Sequence, residues 1–259
     1  MDESLNCRPI VDAKQCRGGI NAQQLHGSYS MPYPSTDMVF NLGEFRRWHL
    51  DLVALNALVR PRGRHRLVDY GIALLPEVIL QTDAHCYSVG VGEDVDFERR
   101  LSDESRAKQW LFDPTPRSIR FMSRSENKIS RAEFRPIGVW KRDTRMRFHA
   151  PRNALHVSHS ITEPAGNNDG FDADCRTVRS VMKELGHESL QLIKLNVEGA
   201  EDQIIESMLQ DGIRPTVIIT TWEGHDAFRK AIRWTRRLRG AGWDFAGRKG
   251  WYFTYVRAG

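Results

Sequence analysis

Short apolar runs alternate with amphipathic segments from about residue 83 to the end of the chain. This alternation is the strongest constraint on the fold, because strands that are separated by helices pair in parallel and are covered on both faces. Helices are predicted at about 96–107, 176–186, 200–211 and 226–240. The apolar runs that predict strands are Ala84–Val89, Gln109–Phe112, Glu133–Trp140, Leu190–Val197, Thr216–Trp222, Trp243–Phe245 and Trp251–Val256.

The two ends of the chain depart from this pattern. The last two apolar runs are separated only by residues 247–250, which contain two glycines, and this predicts an antiparallel C-terminal hairpin. Residues 1–82 are predicted to form an N-terminal extension with one or two helices packed on the core. One such helix begins at Asn41, whose side chain can cap it together with Glu44, and ends before Pro61. Residues 83–259 form the predicted main domain.

The first strand of the main domain runs into a turn that contains Gly90 and Gly92. Glycines allow a sharp turn and a close approach of the bare backbone, as at the ligand site of a Rossmann-type fold. A dinucleotide fingerprint would place a third glycine at position 95, which is Val95 in this chain. The adjacent Glu93 and Asp94 would repel a pyrophosphate and attract a cationic ligand instead.

Polar residues also follow the next strands of the predicted sheet. Asp113 ends the second strand, where an acidic side chain can accept hydrogen bonds from the hydroxyls of a ribose. The strand over 190–197 contains Lys194 and Asn196, and Glu198 comes directly after them. Ionisable groups are rarely buried without a partner, so this cluster is either a ligand site or a Lys–Glu pair beside an acidic helix start.

The fifth strand ends close to Glu223 and His225. Histidine can accept a proton near neutral pH, which makes His225 and Glu223 candidates for a general base, although solvated loop residues are an equal alternative. The predicted helix at 226–240 carries six basic residues. A solvated helix face is the favoured explanation, and an anionic substrate such as a phosphorylated or polysaccharide-linked acceptor is the alternative. Nucleic acid is less well supported, because no aromatic residues suited to base stacking accompany the basic ones.

Composition narrows the class of protein further. The 259 residues carry a formal net charge of +5, and the four cysteines are not spaced for zinc or for a disulfide scaffold, so we expect no metal. The N-terminus lacks the pattern of a secretory signal, and no window reaches the roughly 18 apolar residues of a membrane span. These features predict a cytoplasmic protein with no membrane span.

Taken in order, several of these segments resemble the FkbM-type methyltransferase family. The resemblance covers about residues 83–225, and its most specific piece is Lys194–Glu201; the Asp-Pro-Thr-Pro form at 113–116 is similar to a branch that includes methyltransferase-like proteins of animals. The matching segments are Tyr87–Asp94, Phe97, Phe112–Pro116, Ile137–Trp140, Phe148–Pro151, Thr177, Leu185–His187, Lys194–Glu201, Met208–Leu209 and Gly212–Ile213.

The resemblance implies a class I methyltransferase Rossmann-like fold with a mostly parallel seven-stranded sheet, the antiparallel hairpin and helices on both faces. It also implies S-adenosyl-L-methionine as the cofactor and methyl transfer to oxygen. The residues expected at the cofactor are Tyr87, Gly90, Gly92, Asp113, Pro114 and Asn196, and the candidate catalytic residues are Lys194, Glu198, Glu223 and His225.

One position departs from the family pattern. The family usually has aspartate where this chain has Asn196, which keeps hydrogen bonding but loses the charge that a base or metal ligand would need. The expected acceptor is a hydroxyl of a small molecule or glycan. Two alternatives stay open, namely an NAD(P)-dependent Rossmann oxidoreductase and a catalytically silent methyltransferase fold that serves as a binding module.

Overall fold

A seven-stranded sheet forms the centre of the protein in the computed structural model, which describes residues 53–63, 65–81, 83–149, 170–197, 199–222 and 226–258. The strands are β1 (Leu67–Asp69), β2 (Leu74–Pro76), β3 (His85–Val89), β4 (Lys108–Phe112), β5 (Ala132–Arg135), β6 (Gly138–Val139), β7 (Thr144–His149), β8 (Gly170–Arg176), β9 (Leu192–Leu195), β10 (Val217–Thr221), β11 (Trp243–Lys249) and β12 (Tyr252–Arg257). The helices are α1 (residues 53–58), α2 (Glu77–Leu80), α3 (Asp96–Glu104), α4 (Pro116–Met122), α5 (Val178–Leu185), α6 (Glu201–Gln210) and α7 (Ala227–Gly240).

The strand order of the central sheet is β5-β4-β3-β9-β10-β12-β11. Strands β5, β4, β3, β9 and β10 pair in parallel, whereas β12 is antiparallel to both β10 and β11. The predicted α/β fold, with its mostly parallel sheet and antiparallel C-terminal hairpin, is therefore confirmed, and it is a methyltransferase-type Rossmann-like fold.

Helices cover both faces of this sheet, because the buried strands alternate their side chains between two apolar cores. On β9, Leu192 contributes to the core on the side of α3, whereas Ile193 contributes to the core beneath α5, α6 and α7. Local sequence signals determine where helix α5 begins and ends. The side chain of Thr177 caps its first turn, and Gly186 ends it in the left-handed conformation with φ 69°.

One predicted strand needs correction, and the start of the helix predicted from Asn41 lies outside the described residues. The run Glu133–Trp140 was predicted as one strand, but it forms β5 in the central sheet and β6 in a separate three-stranded sheet with β7 and β8. Pro136 separates the two strands, since proline has no N–H to donate to a ladder. In the N-terminal region, β1 and β2 form a hairpin whose Leu75 is buried in the core on the side of α3.

The carboxyl ends of β3 and β9 mark the point where the chain changes its direction across the sheet. The chain proceeds from β3 through β4 to β5 on one side, and it continues from β9 to β10 on the other. Ligands of open α/β sheets bind in the crevice at such a switch point. In the described part of the chain, no helix combines the length and the apolarity that crossing a membrane requires.

Candidate functional site

The turn after β3 is where the backbones of three strands meet. Gly90 has φ 80°, its N–H donates to the carbonyl of Phe112 on β4 at 2.9 Å, and Asn196 N–H donates to the carbonyl of Val89 at 2.9 Å. A Cβ on Gly90 would lie 1.8 Å from the carbonyl oxygen of Asn196. From the sequence, we expected Gly90 to allow the close approach of a ligand. In the structure, the group that approaches it is the backbone at the end of β9.

Gly92 and Asp113 are joined by a direct hydrogen bond. The N–H of Gly92 donates to Asp113 Oδ2 at 2.8 Å, while Asp113 Oδ1 accepts from the backbone N–H and the hydroxyl of Thr115 at 2.8 and 2.7 Å. Asp113 is only 5% exposed. Its carboxylate therefore ties the glycine turn after β3 to the turn after β4, which also begins α4.

A cavity of about 320 Å³ opens beside these turns, at the carboxyl edge of the sheet. Sequence-predicted site residues that line it are Gly90, Gly92, Asp113, Pro114, Lys194 and Asn196. Residues that the sequence did not single out for the site complete its wall, namely Ile72, Arg117, Gly138, Val139, Phe148 and Tyr252 with neighbouring turn residues. Phe148 lies in a segment of the family resemblance, and Tyr252 begins the last strand, so both carried a weak signal.

Among the described residues that line the cavity, carboxylates outnumber cations. Glu93, Asp94 and Asp113 face two cations, Arg117 and Lys194. Arg117 is paired with Glu93 at 2.5 Å. This surplus of negative charge favours a ligand that carries a positive charge, in agreement with the expectation from Glu93 and Asp94.

Lys194 forms a buried ion pair with a residue of α3. Its Nζ lies 2.9 Å from Glu98 Oε1, and both side chains are almost fully excluded from solvent. Burial alone lowers the pKa of Lys194, but its interactions with Glu98, above all, and with Tyr252 and Asp94 outweigh burial and raise the pKa above its ordinary value. Lys194 is therefore an ammonium at the edge of the cavity. The sequence left two interpretations of this cluster open, a ligand site and a Lys–Glu pair. The pair is present, with Glu98 as the partner, and Lys194 also lines the cavity.

The turn between β9 and α6 is organised by Glu201. Its carboxylate accepts hydrogen bonds from the N–H groups of Val197 and Gly199 at 3.0 and 2.8 Å and from the hydroxyl of Thr221 at 3.0 Å. Asn196 Oδ1 lies 3.4 Å from the same hydroxyl. Glu201 thus holds the turn that brings Asn196 to the cavity, which gives the acidic helix start a structural role.

The remaining candidates lie elsewhere. Tyr87 is absent from the described lining of the cavity, and its hydroxyl contacts Nδ1 of His187 at 2.7 Å. Glu198, Glu223 and His225, which the sequence suggested for catalysis, lie outside the described residues. Within the described ranges, no group of three or more His, Cys, Asp and Glu side chains is arranged to hold a metal ion.

Comparisons with known proteins show a structural likeness but no match in sequence. No family model matches the sequence, so the resemblance to the FkbM-type family stays a prediction, and no curated protein matches it either. The crystal structure of a precorrin-6y C5,15-methyltransferase from Geobacter metallireducens GS-15 is similar with a TM-score of 0.40 and 11% identity, over 81% of this chain and 89% of that chain. The fold assignment above rests on the strand order and pairing of this protein itself.

Proposed function

We propose that this protein is an S-adenosyl-L-methionine-dependent methyltransferase that methylates a hydroxyl of a small molecule. The observation that carries the proposal is the hydrogen bond from Gly92 to Asp113, which joins two motifs of the family resemblance at the rim of one cavity. When bound, S-adenosyl-L-methionine supplies a methyl group that passes to the acceptor oxygen as the carbon–sulfur bond breaks and its electrons stay on sulfur.

The chemistry of the lining fits this cofactor. The surplus of carboxylates at Glu93, Asp94 and Asp113 suits a ligand with a sulfonium and an ammonium group. The backbone at Gly92 offers open space, since a Cβ there would meet no heavy atom within 4 Å. A side chain at this position would fill part of the space that the cofactor needs.

Asp113 is the proposed ligand of the ribose, with a restriction that the sequence did not predict. A carboxylate oxygen has two acceptor sites, and Oδ1 already accepts two hydrogen bonds whereas Oδ2 accepts one. One acceptor site on Oδ2 is therefore left for a ribose hydroxyl. The three existing bonds fix the carboxylate in place, so its orientation requires no further ordering on binding.

The role of the chain in the reaction is mainly to hold two reactants in line, which removes an entropic barrier. Asn196 is an amide and has no charge to take a proton, so we assign it to orientation of the cofactor or the acceptor. His225 and Glu223 stay candidates for the general base, and Glu198 for a further catalytic group, on the sequence alone.

The oxidoreductase alternative is less well supported. A nicotinamide dinucleotide brings a pyrophosphate to the turn after the first strand, where this chain has Glu93 and Asp94 and where α3 begins with Asp96 and Glu98. Carboxylates at this helix start compete for the positive end of the dipole that a phosphate would use. The binding-module alternative is supported by Asn196 alone and predicts cofactor binding without turnover.

Calorimetric titration with S-adenosyl-L-methionine and S-adenosylhomocysteine tests the proposal. We expect binding to the unaltered protein and a loss of at least tenfold in affinity for Asp113→Ala. The matched control is Asp103→Ala, an exposed aspartate of α3 outside the cavity lining. Thermal melts establish first that each variant is folded.

Each outcome has a clear consequence. Unchanged affinity in folded Asp113→Ala, or no binding by the unaltered protein, refutes the proposal. Binding of NADH in a parallel fluorescence titration, without binding of S-adenosyl-L-methionine, favours the oxidoreductase. A cell extract incubated with isotopically labelled donor and analysed by mass spectrometry then distinguishes turnover from silent binding.

A further inference from the structure

The lining of the cavity includes residues other than those expected at the cofactor. Its lining includes Asp113, at the end of β4, and Tyr252, at the start of β12. These two strands are separated by four spacings in the sheet order β4-β3-β9-β10-β12. Neighbouring strands lie about 4.8 Å apart, so the strand ends that carry these two residues are roughly 19 Å apart along the carboxyl edge. The cavity therefore has two ends, with Asp113 at one and Tyr252 at the other.

The end at Tyr252 has a different chemistry from the end at Asp113. It is formed by Ile72, Phe97, Lys194 and Tyr252, which combine apolar and aromatic walls with a single ammonium group. Phe97 is buried, and Lys194 Nζ lies 5.4 Å from the centre of its ring. We name these four residues the Lys194 subsite.

Lys194 has hydrogen-bonding capacity left at this subsite. An ammonium has three donors, and one of them is used by Glu98 Oε1. No second hydrogen-bond acceptor of Nζ is found among the residues that the structure describes. The other oxygen, Glu98 Oε2, is buried and has no hydrogen-bond partner there either. An acceptor oxygen that enters the subsite would therefore satisfy a buried donor, which is costly to leave unpaired.

We propose that the Lys194 subsite binds the methyl acceptor and that this acceptor is an aromatic hydroxyl compound, whose oxygen accepts a hydrogen bond from Lys194 Nζ. This inference rests on the proposed methyltransferase function and specifies its substrate class. Ile72, Phe97 and Tyr252 provide the apolar and aromatic surface that a flat ring requires. Among the four described residues of the subsite, the polar groups are Lys194 Nζ and the Tyr252 hydroxyl, fewer than the many hydroxyls of a glycan require.

The charge of Lys194 gives the subsite a chemical role. The acceptor loses its hydroxyl proton to bulk water as it enters the site, and the oxyanion that remains is stabilised by the ammonium, which is largely shielded from water. The raised pKa of Lys194 keeps the ammonium charged throughout. Charged and titratable groups that act on it are Glu98 from α3, Asp94 from the glycine turn and Tyr252 from β12. Both carboxylates oppose the oxyanion, so the net effect is that of a partly compensated cation.

A rival assignment gives Lys194 to the carboxylate of the cofactor. The two assignments differ in what the removal of Lys194 changes, because only the rival predicts a loss of cofactor affinity. The single variant Lys194→Met would leave the Glu98 carboxylate buried and unpaired, which is strongly destabilising. The double variant Lys194→Met/Glu98→Gln removes both charges and avoids this penalty. The control is Lys183→Met, an exposed lysine of α5.

The test uses 4-nitrophenol as probe, because its phenolate absorbs visible light and reports ionisation without turnover. The protein is first saturated with S-adenosylhomocysteine, and the probe is then titrated with pH in its presence. We expect the pKa of bound 4-nitrophenol to fall by about one unit, a tenfold change in its ionisation equilibrium. The shift should persist in Lys183→Met and disappear in the double variant, whose affinity for S-adenosylhomocysteine should stay within threefold of the unaltered protein.

Three results overturn the inference. The first is no binding of 4-nitrophenol, phenol or 2-naphthol to the loaded unaltered protein. The second is a bound probe whose pKa is unchanged or raised in that protein, which decides the matter even if the double variant fails to fold. The third is a tenfold loss of S-adenosylhomocysteine affinity in the folded double variant, which assigns Lys194 to the cofactor. Failure of S-adenosylhomocysteine itself to bind is a distinct outcome, since it refutes the methyltransferase proposal.

Discussion

Gly90 and Gly92 offer a matched pair of substitutions, because both have positive φ but only one faces another backbone. Gly90 has φ 80° and Gly92 has φ 64°. Alanine at either position pays the strain of the left-handed region, about 1–2 kcal/mol. At Gly92 the new Cβ meets nothing within 4 Å, so this strain is the whole expected loss of stability.

At Gly90 the new Cβ would lie 1.8 Å from the carbonyl oxygen of Asn196, where real Cβ atoms do not come within 3.0 Å. Strand β3 or β9 must then move by more than 1 Å at the centre of the sheet. That movement strains the hydrogen bonds from Asn196 to Val89 and from Gly90 to Phe112, each worth about 1 kcal/mol. With the backbone strain, we expect Gly90→Ala to lose about 3–4 kcal/mol of the free energy of unfolding.

Urea unfolding followed by tryptophan fluorescence measures this difference, provided that the dependence of the free energy on urea is equal for both variants. Calorimetric titration should rank the two variants in the opposite order, by cofactor affinity instead of stability. Gly92→Ala puts a methyl group into the lining of the cavity, so it should weaken cofactor binding more than it weakens the fold. If Gly90→Ala and Gly92→Ala lose the same stability within about 0.5 kcal/mol, the close approach at Gly90 does not add to the cost of the substitution, which refutes the reasoning.

Two further substitutions test individual polar groups, one at the turn beside the cavity and one on the loop after α5. Glu201→Gln replaces a carboxylate that accepts three hydrogen bonds and should cost about 1–3 kcal/mol by urea unfolding, whereas the exposed Glu188→Gln should change stability by less than about 0.5 kcal/mol. Burial, and after it the charge of His85, lowers the pKa of His187. Since the unfolded chain then binds a proton first, stability should fall as the pH drops below about 6.5, and His187→Gln should reduce that fall; equal slopes in both proteins between pH 5 and 7.5 would contradict this.

The central sheet was predictable from the sequence because its strands are short, apolar and separated by amphipathic helices. The antiparallel end of the sheet was also predictable, since Gly250 and its neighbours leave too few residues for a crossover helix. The three-stranded sheet was missed for a physical reason. Its strands β7 and β8 alternate charged with apolar residues and are paired across a long stretch of chain, with Arg145 facing Asp174 and Arg147 facing Asp172.

The candidate site was predictable where one strand end carried its own signal. Gly92 and Asp113 were each identified from position in the pattern, and the structure brings them into direct contact. The partner of Lys194 could not be identified in this way. Glu98 lies 96 residues earlier, on helix α3, which covers one face of the sheet. Only the packing of α3 against β9 places the two side chains together. Ile72 was missed for the same reason, because a loop residue of the N-terminal hairpin has no periodic signal.

The contact between Gly90 and Asn196 changes what the missing charge at position 196 means. The part of Asn196 that touches the glycine turn is its backbone carbonyl, which any residue would provide. The negative charge that a cationic ligand requires is supplied at the cavity by Glu93, Asp94 and Asp113. An aspartate at position 196 would place a further carboxylate close to the buried Glu201, whose donors among the described residues are two N–H groups and a hydroxyl, none of them a cation. The amide avoids that repulsion and keeps a donor and an acceptor at the wall of the cavity. The departure from the family pattern is therefore compatible with cofactor binding. A base or an oxyanion-stabilising group is then expected at Lys194 or in the loop after β10.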